Sequence, residues 1–292
     1  MSYTVTGSID ETLITQAPGA LGILARGSLR EAMPIVMEAR SRAPLLPIYI
    51  CCSKEEQAAC GEILEACADI ELIQSVDETP PAQRVNEILW RSSFRRTMII
   101  WSDAALPDDP AGLLAAYADD HTVCRVPCFL DPSGSPLPTQ VIPVLEQRVI
   151  RMRHIPPLAA CELDTAFVHD YIGIYDTPLF RTLGGFELSF RSAYWQQLDF
   201  GTRSFLWGYR TAVMPDFTMQ AHMPLQASTV KDRDYLRWYR RNCSLYRGTK
   251  GIRLNRSLMR GNDEGESSWV REHRHRFVMA MDDLVRTWEG TS

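Results

Sequence analysis

No stretch of this chain approaches the roughly eighteen uncharged apolar residues that a bilayer-spanning helix needs. Its N-terminus is short, polar and acidic, where a secretory leader would be basic and then apolar. The expectation is a protein made and kept in the cytosol. Also missing are a Gly-x4-Gly-Lys-Ser/Thr phosphate loop, an HExxH zinc helix, a GxSxG nucleophile elbow and a glycine-rich dinucleotide turn after a strand. No net positive charge is present either. The formal charge is -5, which argues against nucleic acid as a partner, since phosphate backbones need a positive field. The eight cysteines show neither zinc-ligand spacing nor the density of a small secreted scaffold. They sit in apolar runs and read as reduced core residues; Cys124 and Cys128 read as two strand positions.

What is present suits one large globular unit, with 45% hydrophobic and 23% charged residues in 292. Apolar runs alternate with amphipathic segments through the first half: strands over 20–25, 45–52, 70–74 and 97–101, helices over 29–42, 53–67, 80–94 and 112–118. Ser28 and Ser53 stand where helix N-caps belong. Such β-α-β units cross over right-handed and gather ligands at the carboxyl ends of their strands, where Ser102 and Asp103 fall. Further on, ten Lys or Arg stand between 231 and 260 against Asp232 and Asp234, interleaved with Tyr235, Trp238, Tyr239 and Tyr246. This run suits either a solvated helix with its aromatic face packed on the protein or a surface for anionic lipid head groups. The polar segment 260–268 reads as a hinge before a last amphipathic helix over 269–288. His273 and His275 alternate with arginines, whose charge disfavours a metal there.

The most informative segment is GGFELSFRSAYWQQLDFGTRSFLWGYR, from Gly184, followed by a strand pattern and His222, twelve residues beyond Arg210. Asp199 stands four residues before Arg203, and Arg203 five before Gly208-Tyr209. This order resembles the acceptor-side half of a family 2-like glycosyltransferase of the GT-A fold, with Gln196 and Gln197 in the places of that family's Glu-Asp pair. The segment PPAQRVNEILWRSSFRRTMIIWSDAALPDDP resembles its nucleotide-sugar half, with Ser102-Asp103-Ala104 in place of Asp-x-Asp and Cys51-Cys52-Ser53 where an acidic nucleobase contact is frequent. The resemblance spans about residues 20 to 247.

It implies a GT-A-like α/β fold: a mostly parallel central sheet flanked by helices, a small second sheet from the region after Val123, and a helical C-terminal extension. The implied division is a lead-in (1–19), a GT-A-like domain (20–230) and a basic helical extension (231–292). The implied activity moves a sugar from a nucleotide-diphosphate donor to a saccharide or lipid-linked acceptor, with inversion in that family's manner. The resemblance sets the donor against Arg26, Ser53, Arg84, Asn86, Ser102 and Asp103, and the acceptor against Gly184, Gly185, Trp195, Gln196, Gln197 and Arg203. It sets Mn²⁺ or Mg²⁺ between Asp103 and His222, an imidazole and a carboxylate that both suit such ions.

The bare residues leave alternatives. Asp103 also reads as a turn residue, His222 as a hydrogen-bonder, and Trp195 as core in place of a sugar platform. Glutamine amides cannot take up the acceptor's proton, so Asp199, Glu187 and Asp176 are the candidate bases; Asp199 alternatively pairs with Arg203. The substituted motifs also fit a non-catalytic sugar-binding or scaffold protein, and Arg26-Gly27-Ser28-Leu29-Arg30 faintly echoes a sugar-phosphate nucleotidyltransferase.

Overall fold

Apolar runs of about five residues separated by longer amphipathic segments are what a doubly covered sheet requires, and the chain lays them down in that order. The structure is a computed structural model that describes residues 3–26, 28–53, 57–75, 79–116, 120–147, 149–158, 161–221, 231–249, 251–255 and 264–289. The first half runs β1 (Tyr3–Ser8), α1 (Leu13–Gln16), β2 (Ala20–Leu24), α2 (Met33–Arg42), β3 (Ile48–Ser53), α3 (Gln57–Ala66), β4 (Ile70–Ser75), α4 (Pro81–Arg91), β5 (Arg96–Trp101) and α5 (Pro110–Ala115). The second runs β6 (Thr122–Leu130), β7 (Gln140–Glu146), β8 (Val149–Ile155), β9 (Leu163–Asp164), β10 (Gly173–Asp176), α6 (Thr177–Leu183), α7 (Ala193–Leu206) and β11 (Arg210–Gln220). It ends with α8 (Arg233–Cys243), β12 (Leu245–Gly248), β13 (Gly251–Leu254), α9 (Glu264–His273) and α10 (Met281–Glu289).

Among the described residues nine strands form the main sheet, in the order β1-β4-β3-β2-β5-β10-β6-β11-β9. The pairs β4-β3, β3-β2, β2-β5 and β6-β11 are parallel, while β1, β10 and β9 run against their neighbours. Nine strands less these three leaves six pointing one way. All five residues of β2 are buried, as are the first eight of β6, because both faces of the sheet are covered. Helix α7 is buried from Trp195 through Leu206, all the way round, which makes it an interior helix. The small second sheet is the β7–β8 hairpin, pairing Gln140 with Ile155 through Glu146 with Val149. All eight cysteines are free thiols, and burial pushes those of Cys51 and Cys124 up.

Several expectations are corrected. The lead-in is structural: β1 pairs antiparallel with β4, from Tyr3 against Ser75 to Ser8 against Ile70. β3 starts at Ile48 and not at Leu45, because Pro47 has no N–H to give the ladder. The helix over 29–42 opens with a 3-10 turn, in which the Ser28 Oγ accepts from the Glu31 N–H at 3.4 Å. Helix α5 starts two residues early, at Pro110, since Asp109 caps it through the Gly112 N–H at 2.7 Å. The hinge expected over 260–268 is helical from Glu264, and the helix expected over 269–288 is two. Between them, the Val278 N–H donates to the Leu206 carbonyl at 2.9 Å, so α7 takes a backbone bond that a continuous helix would have kept.

Candidate functional site

Because β2, β3, β4, β5 and β6 run the same way, their carboxyl ends share one edge of the sheet, and the loops leaving them must meet there. Arg26 lies two residues beyond β2, and Ser102 and Asp103 directly follow β5. A third segment arrives from the opposite direction. β10 is antiparallel to β5 and opens with Gly173 opposite Ile99, so the residues just before it, Asp170 and Tyr171, lie at this edge.

These segments interlock around one guanidinium. The Arg26 backbone N–H donates to the Ser102 Oγ at 2.9 Å, and the Ser102 N–H to the Leu24 carbonyl at 3.0 Å, which fixes the two loops together. The Arg26 Nη2 lies 2.9 Å from the Asp170 Oδ2, and its Nε 3.3 Å from the Asp103 Oδ2. Its Cζ stands 4.1 Å above the Trp101 ring, a cation–π contact, and the Trp101 Nε1–H donates to the Asp170 carbonyl at 2.9 Å. Arg84, in the first turn of α4, donates to the carbonyls of Ala25 at 2.8 Å and Thr79 at 3.0 Å, tying α4 to the backbone that follows β2.

Asp170 and Tyr171 hold left-handed backbone angles, φ 50° and 63°, which cost energy in residues other than glycine. The glutamines of α7 hold them there. The Asp170 N–H donates to the Gln197 Oε1 at 3.1 Å, the Tyr171 hydroxyl to the Gln196 Oε1 at 2.5 Å, and the Gln196 Nε2 to the Phe190 carbonyl at 2.8 Å. Burial pushes the Asp170 carboxyl above its usual value; Arg26 pulls it back and Asp103 adds to the rise. The result is a partly accessible carboxylate that keeps its proton more readily than an ordinary aspartate.

Other expected site residues are placed elsewhere. Asp199 is wholly buried, accepting from the Arg203 Nε at 2.9 Å and the Asn242 Nδ2 at 3.1 Å, so the pairing alternative holds and its carboxylate meets no acceptor. Arg203 is buried too, donating to the carbonyls of Leu183 at 2.5 Å and Gly185 at 2.8 Å. Gly184 closes α6 in the left-handed conformation, and Gly185 packs so closely that a Cβ would lie 2.4 Å from Trp90. The glycine pair thus serves the packing of α6 and α4. Asn86 exchanges two hydrogen bonds with the Phe186 backbone, each 2.9 Å, and is also structural. Trp195 packs against Trp238 and Tyr235, which is its core alternative. Gln196 and Gln197 are buried, and their side-chain oxygens are engaged by Tyr171 and Asp170.

Asp176 lies at the far end of β10, opposite Arg96 where β5 begins, and caps α6 through the Leu179 N–H at 2.9 Å. It is therefore at the wrong edge of the sheet. Glu187 is 3.1 Å from Arg241; burial pushes its carboxyl up, but Arg241 and Arg203 outweigh this and hold it below the usual range. It borders a cavity of about 420 Å³ with Arg181, Trp207, Trp269 and Arg276, on the helical side of the molecule. Ser53 ends β3. His222 lies outside the described residues. The basic run also changes meaning, because Arg237 and Arg241 turn inward to Glu266 and Arg247 pairs with Asp283 at 2.7 Å.

Among the described residues no group of three His, Cys, Asp or Glu side chains could hold a metal ion. The two carboxylates that do gather, Asp103 and Asp170, already share Arg26. This donor set does not fit a divalent ion as it stands.

The fold is of the GT-A-like α/β class, and this candidate cluster lies at the carboxyl edge of its sheet. No family model and no curated protein sequence matches the chain. Solved structures do, among them three glycosyltransferases. GalNAc-T7, crystallised with UDP, GalNAc and Mn²⁺, aligns over 77% of this chain with a TM-score of 0.57 and 12% identity. Residues 1–349 of S. aureus TarS align over 76% with a TM-score of 0.52 and 14% identity. The mannosyltransferase PcManGT from Pyrobaculum calidifontis, in complex with GDP-Man and Mn²⁺, aligns over 82% with a TM-score of 0.51 and 14% identity. The chain spans 48, 63 and 65% of these three in turn, and the likeness is one of fold.

Reasoning from sequence missed Asp170, Tyr171 and Trp101. The run Asp170-Tyr171-Ile172-Gly173-Ile174-Tyr175-Asp176 carries a carboxylate at each end of one short strand. The strand's direction decides which of them reaches the site.

Proposed function

We propose that this protein transfers a sugar from a nucleotide-diphosphate donor to a saccharide or lipid-linked acceptor by a single, inverting displacement. The observation that carries the reading is the cluster of Arg26, Asp103 and Asp170 at the carboxyl edge of a GT-A-like sheet. Two of the similar structures hold UDP or GDP-Man with Mn²⁺, which supports a donor of that class. A nucleoside diphosphate gathers negative charge as it leaves, and cationic donors fixed in advance at that spot lower the barrier. Arg26, held by Ser102, Trp101 and two carboxylates, is such a donor. The acceptor hydroxyl must lose its proton as it attacks, and Asp170 is the carboxylate that the α7 glutamines present at this edge.

A cytosolic setting remains part of the proposal; no helix among the described residues is long and apolar enough to cross a membrane. Contact with an anionic lipid surface would fall to the outward arginines of α8, such as Arg233.

Incubation with UDP-, GDP- and CDP-sugars, reading release of the nucleotide, tests the reaction. Asp170→Asn is expected to slow release by roughly 10²- to 10⁴-fold, the range for loss of a general base. In the wild type, the rate should fall as pH drops through the raised Asp170 value, placing the acid limb above the ordinary aspartate range. Nucleotide binding without release would instead favour the non-catalytic reading, which the Gln196-Gln197 pair supports.

A further inference from the structure

We infer that Arg26 provides the positive charge that receives the donor's diphosphate, in the place where a divalent cation would stand, so that nucleotide binding needs no metal ion. This rests on the transferase reading and specifies its donor site. The sequence leaves one carboxylate, Asp103, where the resembled motif has two, and the structure supplies a second, Asp170, from across the sheet edge. Both are joined by the Arg26 guanidinium, at 3.3 and 2.9 Å, and the Trp101 ring backs it at 4.1 Å. A divalent ion seeking those oxygens would have to expel a cation held on three sides, and would be repelled while it remained.

A guanidinium presents planar, forked donors that match phosphate oxygens. The Arg26 side chain keeps 38% of its surface open, so it can meet a ligand at this edge while its Nε lies buried 3.3 Å from Asp103.

The experiment is calorimetric titration of the full chain with UDP, GDP and CDP, each in EDTA and in Mn²⁺, for the wild type, Arg26→Ala and Arg26→Lys. The wild type is expected to bind one nucleotide with the same affinity in both buffers. In EDTA, Arg26→Ala should weaken that affinity roughly ten- to a hundredfold, the loss expected for a hydrogen bond to a charged group. Arg26→Lys should recover part of it. Electron paramagnetic resonance of Mn²⁺ should show no bound ion in the wild type, and a bound ion in Arg26→Ala, where Asp103 and Asp170 are uncovered. Near-UV circular dichroism checks that each variant is folded. Wild-type binding that appears only with Mn²⁺, or binding in EDTA that survives Arg26→Ala undiminished, overturns the inference while leaving the transferase reading in place. Binding of no nucleotide in either buffer removes that reading, and the inference with it.

Discussion

At the scale of single residues, charge inside this molecule does two different jobs. Asp199 and Arg203 form a buried ion pair closed by Asn242 and two carbonyls, so removing one partner strands the other in a medium of low dielectric. Asp199→Ala should therefore cost about 3–5 kcal/mol of stability in urea unfolding. Nucleotide affinity of the folded variant should change little, because the pair does not face the carboxyl-edge cluster. His169 shows the same physics with a titrating group. Its ring is buried, 2.9 Å from the Thr139 carbonyl, and burial, helped by His154, pushes its pKa down to about 3. An unfolded histidine takes up its proton near pH 6.5, so between there and about 3 the unfolded state binds more protons and stability falls as the pH falls. The slope approaches about 1.4 kcal/mol per pH unit in that window. Acid unfolding of His169→Gln should lack this component, and an unchanged profile would contradict the assignment.

Among elements, the glycine pair between α6 and α7 separates two demands that sequence reasoning merges. Gly184 has φ 89° and open space where a Cβ would go, whereas Gly185 has φ 70° and would drive a Cβ to 2.4 Å from Trp90 and 2.7 Å from the Asn86 Oδ1. Gly184→Ala meets only the left-handed backbone penalty, about 1–2 kcal/mol. Gly185→Ala meets that penalty and a clash with α4, so it should lower the melting temperature clearly more. Equal losses would show that conformation alone matters at both positions. The reversed strand β10 is the other decisive element. It brings Asp170 to the site and carries Asp176 away from it, although both carboxylates stand in one short segment with nothing local to rank them.

For the whole molecule, the region after residue 230 is built into the body of the fold. Asp234 of α8 accepts from the N–H groups of Arg191 at 2.7 Å and Ser192 at 2.8 Å, satisfying donors at the entrance to α7, and Asn242 reaches Asp199 inside it. Arg241 is joined to both Glu187 and Glu266, and Phe205 meets Trp288 edge-on at 5.0 Å between ring centres. A fragment of residues 1–230 is expected to lack native near-UV circular dichroism, and the full chain to unfold in one transition; a well-folded fragment would restore the boundary that composition suggests. The sequence by itself determined the alternating β-α plan, the gathering of Ser102 and Asp103 at the carboxyl ends of the strands, and the pairing of Asp199 with Arg203 as one of two alternatives. These are local matters of periodicity, capping and spacing along a helix. Only the tertiary structure decided that Arg26 bridges Asp103 and Asp170, that Gln196 and Gln197 act by holding a turn, and that β1 completes the sheet. Each joins residues distant in the chain, or depends on strand direction, and neither is written in a local pattern because only the closed sheet and its packed helices bring those groups within a few ångströms.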